Sequence, residues 1–108
     1  MRYSELLADP AVRGVTIGEC IDGSEWSDTR DYSVIAHAHT LSTHDRYPGH
    51  ICVRSWDDLF EGHQMRVSAV VLEELAHLRA DAGHTEAWRK EMRKLGVAVP
   101  PMHRKKKH

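Results

Sequence analysis

Residues 70–84 read Val-Val-Leu-Glu-Glu-Leu-Ala-His-Leu-Arg-Ala-Asp-Ala-Gly-His. Glu73, Glu74, His77 and His84 are the members of that run whose side chains bind metals or move protons. Residues four apart on a helix lie side by side, with ~5–6 Å between Cβ atoms, so Glu73 and His77 can chelate one ion. Glu74 sits ~100° further around the helix, within reach of an open coordination position without being a ligand. His84 follows the glycine-containing break Asp81-Ala82-Gly83, where the chain can fold back and bring a further ligand to the same ion. Glu73, His77 and His84 with one position left to solvent make a His₂Glu set, the ligand composition of a catalytic zinc site. Glu74 is then the candidate general base, taking a proton from water that the metal activates. Two adjacent carboxylates directly after Val70-Val71-Leu72 are costly to bury unless something compensates them, and a metal ion is one such thing. The plain alternative is a solvated helix edge on which His77 is only the i+4 partner of Glu73.

Nine histidines in 108 residues give further candidates. His37 and His39 alternate on one face of an expected strand, either as an exposed face or as the lining of a substrate groove. His63 stands where the long helix is expected to begin. Cys20 and Cys52 have no CxxC spacing and read as buried, inert thiols of a reducing compartment. No local motif makes either of them the nucleophile of a Cys–His pair. Trp88, Met92 and Leu95 have the spacing of one packing face on the last helix, and Trp88 also stands where it can buttress His84. Trp26 and Trp56 read as core residues.

The elements that must position these residues can be read in order. Tyr3–Ala8 is a short amphipathic helix stopped by Asp9-Pro10. Residues 13–21, 31–40 and 50–55 have the β-branched content and flanking turns of three strands. Ser55 with Asp58 marks a helical turn over Trp56–Phe60. Helical spacing runs from His63 to Ala80, with Met65, Ala69, Leu72 and Ala76 on one face and Val67, Val71, Leu75 and Leu78 extending it. Thr85 caps a last helix that ends before Gly96 in the C′ position. Strands and helices are segregated along the chain, so the fold class is α+β: a small sheet of three strands or slightly more, packed on the central helix and the helix after it.

With the motif and its setting described, the segment 70–96 resembles the active-site segment of the zincin metallopeptidases, specifically the small SprT-like group. In that family a helix carrying HExxH is followed by a turn, a further histidine and an aromatic residue. Here the pattern falls on Glu73-Glu74-Leu75-Ala76-His77, then Gly83-His84 and Trp88. The resemblance implies a zincin-like fold and one zinc held by His77 and His84, with Glu74 as catalytic base. It also implies an extended peptide substrate lying along a strand edge. The first histidine of the family motif is replaced by Glu73. Three readings follow. Glu73 is itself a ligand, with manganese or iron favoured relative to an all-histidine site; or the site is dead and the chain is a pseudoenzyme used for binding; or His37, His39 or His63 supplies the missing ligand.

Composition sets the outer bounds. With 41% hydrophobic and 29% charged residues, the chain is expected to be a soluble, cytoplasmic protein with a single domain over residues 1–102. No apolar run approaches the ~18 residues of a membrane span, and the N-terminus lacks the apolar stretch of a signal peptide. Arg104, Lys105, Lys106 and Lys107 form a basic tail over 103–108 on an otherwise acidic chain, and could touch nucleic acid in addition to a protein or peptide substrate.

Overall fold

The computed structural model describes residues 1–22, 35–43 and 46–100. The basic tail and Trp26 lie outside them. The described residues form a small α+β fold of helix α1 (Tyr3–Ala8), strands β1 (Gly14–Ile17), β2 (Ala36–His39) and β3 (His50–Val53), and helices α2 (Trp56–Leu59), α3 (Ala69–Ala80) and α4 (Glu86–Lys94). A short 3-10 turn, Leu41–Thr43, follows β2. Among the described residues no helix is long and apolar enough to cross a membrane.

The sheet is mixed and ordered β1-β3-β2. β1 runs parallel to β3, and β2 runs antiparallel to it with His37 opposite Cys52 and His39 opposite His50. Side chains alternate across a sheet. Ile51 and Val53 therefore share one face, where they join Leu6, Leu59, Val71, Leu72 and Leu75 in the main core. His37, His39 and Cys52 occupy the opposite face. A smaller apolar cluster of Ala76, Trp88 and Met92 joins α3 to α4, as the spacing on the last helix leads one to expect.

The long helix is shorter than its periodicity predicts. It starts at Ala69, capped by the Ser68 hydroxyl on Val71 N–H, and residues 63–68 are not helical. Gln64 and Met65 have positive φ values of 64° and 56°, Arg66 bridges to Arg2, and Val67 bridges to Phe60. Backbone bonds from Tyr3 to Met65 and from Val67 to Met1 hold this stretch against the N-terminus. Those partners are distant in sequence, so local periodicity could not reveal them. His63 accordingly stands exposed ahead of the helix, and Met65 is exposed instead of packing beside Ala69.

Trp56 departs from its core reading as well. It is 52% exposed and stacks on Phe60, with Tyr3 edge-on to both rings. The Ser55–Asp58 pair forms as a side-chain bond, the Ser55 hydroxyl donating to Asp58 at 2.9 Å, and not as a hydroxyl cap on the backbone. The break after α3 falls where expected, but Asp81 adopts the left-handed conformation, at φ 49°, and its carboxylate accepts from Ser42 N–H. Thr85 caps α4 by accepting from Trp88 N–H, and Gly96 takes positive φ just past its end.

Candidate functional site

Two groups of reactive side chains flank β2. The first is a pocket of about 280 Å³ walled on one side by His37, Ala38, Thr40 and Ser42 and on the other by Glu74, His77 and His84. Successive turns of α3 place Glu74 and His77 there, and the turn through Gly83 returns His84 to them. The rings of His77 and His84 lie edge to face with centroids 4.9 Å apart. Trp88 stacks on His77 at 5.1 Å and meets His84 edge-on at 4.7 Å, so the indole is in contact with both rings. Its indole N–H donates to the Glu73 carbonyl at 3.3 Å.

His77 Nδ1 lies 2.8 Å from the Ala82 carbonyl, a contact that requires the proton on Nδ1 and directs the Nε2 lone pair elsewhere. Burial, with the neighbouring Glu73 charge adding to it, pushes the Glu74 carboxyl up to about 8. That is a range in which a carboxyl can exchange a proton near neutral pH.

A catalytic zinc site takes three protein ligands and one open position. His77 and His84 come together, but Glu73 is not gathered with them into a ligand set among the described residues, and it is not part of the pocket wall. Among the described residues, then, two candidate ligands of such a site are brought together, His77 and His84.

The second group is one that sequence reasoning missed. Cys20, just beyond β1, meets His37 and His39 of β2 and Cys52 of β3, and one ligand atom from each of the four lies within 4.8 Å of all the others. These four residues form a possible metal-binding site. Cys20, His39 and Cys52 are buried, and His37 is partly so. Burial raises the thiol of Cys20 and pushes that of Cys52 up to about 12, so without an ion both are neutral. The expectation of buried thiols holds, and each thiol also contacts the other and His39. His37 contributes to the pocket wall while its Nε2 lies in this second cluster, 3.3 Å from that of His39.

A larger hollow of about 550 Å³ lies between the N-terminus and residues 61–66, lined by charges of both signs such as Arg2, Glu5, Glu61 and Arg66. Among the described residues the compact group of metal-ligand atoms lies at β2 and not in this hollow.

The fold and these two groups define a small α+β domain with a candidate metal centre beside an acid–histidine pocket. Compared with known proteins, the chain matches no family model, no curated protein and no solved structure.

Proposed function

We propose that the chain is a zincin-like, SprT-related domain that binds an extended peptide in the pocket between β2 and α3 and does not cleave it. The observation that supports this reading is that Glu74, His77 and His84 wall one pocket beside β2 while position 73, where the family motif carries a histidine, is a glutamate.

The peptide assignment rests on the main chain of β2. The carbonyls of Ile35 and His39 accept from Arg54 and Gly49, so residues 35, 37 and 39 turn their backbone groups toward β3. Strand alternation then directs the N–H and C=O of Ala36 and Ala38 away from β3, and Ala38 also walls the pocket. A peptide laid along that side adds to the sheet by backbone bonds, while Glu74, His77 and His84 meet its side chains. Ala38→Pro removes one of these donors while sparing the β2–β3 ladder, because proline is tolerated where the N–H points away from the sheet. The variant is expected to fold and to lose at least ~10-fold in affinity for peptides selected from an unstructured library, about the worth of one or two backbone bonds. Undiminished binding by a folded Ala38→Pro chain would place the peptide elsewhere.

One observation favours a second reading, a metal-dependent peptidase: Glu74 is held in the pocket with its proton affinity raised toward neutrality. A bound ion would supply polarisation of water and of the scissile carbonyl, and Glu74 would hold and pass the proton. Glu73→His separates the two readings by restoring the third nitrogen ligand. In the binding-module reading, peptide hydrolysis is absent from the wild-type chain offered zinc. The variant gains about one zinc per chain, which a further His77→Ala removes. Wild-type cleavage of peptides that disappears in Glu74→Gln would overturn the binding-module reading in favour of the peptidase.

A further inference from the structure

The geometry points to a structural zinc centre at Cys20, His37, His39 and Cys52, closed by four protein ligands and sharing only His37 with the pocket at Glu74. Zinc bound tetrahedrally at ~2.3 Å to sulfur and ~2.05 Å to nitrogen holds its ligand atoms ~3.8 Å apart for sulfur–sulfur, ~3.3–3.4 Å for nitrogen–nitrogen and ~3.5 Å for sulfur–nitrogen pairs. In the cluster the sulfur–sulfur edge is again the longest and the nitrogen–nitrogen edge matches, while the sulfur–nitrogen edges run a few tenths of an ångström shorter. The two sulfurs are 3.7 Å apart and the two Nε2 atoms 3.3 Å apart. Cys20 lies 3.1 Å from His37 and 3.4 Å from His39, and Cys52 lies 3.3 Å from His39. A disulfide would need the sulfurs at ~2.05 Å. A tetrahedron of two sulfurs and two imidazole nitrogens is the set that zinc prefers among the common divalent ions.

Sequence and register build this site without help from α3. The alternation of β2 turns His37 and His39 to one face, and the register with β3 sets Cys52 opposite His37 on that same face. Cys20 arrives from beyond β1, the far strand of the sheet. The ion thus ties together three chain segments on the face that the main core does not cover. With all four positions taken by protein, it has no place for substrate, and its contribution is to folding. Loading releases the two thiol protons to solvent as two thiolate–zinc bonds form.

The test uses the full chain purified without a histidine tag, stripped with chelator and reloaded with cobalt(II) or zinc. Cobalt is expected to give the intense visible bands of a tetrahedral site together with near-ultraviolet thiolate-to-metal charge transfer. Zinc is expected to protect both cysteines from a thiol reagent and to raise Tm by at least ~10 °C. Cys52→Ser should lose the charge-transfer band. His84→Ala should keep it, which distinguishes this centre from any ion in the pocket. Cobalt spectra of the wild-type chain without thiolate charge transfer, or thiols that react equally with and without zinc, would overturn the assignment even if no cysteine variant folds.

Discussion

Trp88→Ala is expected to cost about 3–5 kcal/mol of folding stability, the range for removing a large buried aromatic side chain. The side chain is fully buried and forms the α3–α4 cluster with Ala76 and Met92. For a domain of this size that is a large share of the usual ~5–15 kcal/mol total. The loss is also local to the pocket, because the indole is the surface on which His77 and His84 rest. Trp88→Phe keeps an aromatic ring and gives up the bond to the Glu73 carbonyl and part of the volume, so a smaller cost of about 1–2 kcal/mol is expected. Urea unfolding of both variants, with the imidazole resonances of His77 and His84 followed by NMR, checks the ranking. An alanine variant within 1 kcal/mol of wild type would mean that the α3–α4 contact is not what fixes the two rings.

The second large effect is one of pH. Folded Glu74 holds its proton to about pH 8, whereas an ordinary glutamate gives it up near 4.5. The folded state therefore binds the proton more tightly, and the stabilisation this brings is complete below pH 4.5 and is lost as the pH rises through 8. Fully expressed, the difference would be worth about 5 kcal/mol. Because the residue retains some exposure at the pocket wall, solvent screening reduces the expected value to ~1–3 kcal/mol. Glu74→Gln keeps the shape without the charge, so the variant should gain ~1–3 kcal/mol over wild type between pH 5 and 9. Taking the difference between two chains that share Glu73, His37, His77 and His84 removes most of what those neighbours contribute. A constant difference across that range would show that the carboxyl is ionised throughout.

The local features were legible in the sequence. Thr85 and Gly96 bracket α4 because capping depends on residues within one turn, and the α+β class followed from the order of short β-rich and helical stretches. His77, His84 and Trp88 were found together because the spacing of one helix and one tight turn sets their distances. The errors have a common physical origin in partners remote along the chain. Residues 63–68 carry a helical pattern but bond to Met1 and Tyr3 and bridge to Arg2, and those contacts override it. Trp56 finds Tyr3 at the surface instead of a place in the core. The Cys₂His₂ cluster was hidden because its members are separated by 17, 2 and 13 positions and meet only through strand register. The available signal was the pairing of a His-x-His strand with a cysteine-bearing strand, which acquires meaning once the two are aligned antiparallel.

β2 divides its duties between two parts of the same residues. The side chain of His39 belongs to the cluster, that of His37 reaches both the cluster and the pocket wall, and Ala38 between them walls the pocket. A lineage could therefore discard the chemistry at Glu74 and keep the four-residue cluster without moving the strand, whereas a change at His37 would alter the cluster and the pocket wall together. Substitutions at 37 and 39 would be judged by ligand chemistry and those at 36 and 38 mainly by size. Such a strand lets two histories be written side by side, joined at His37.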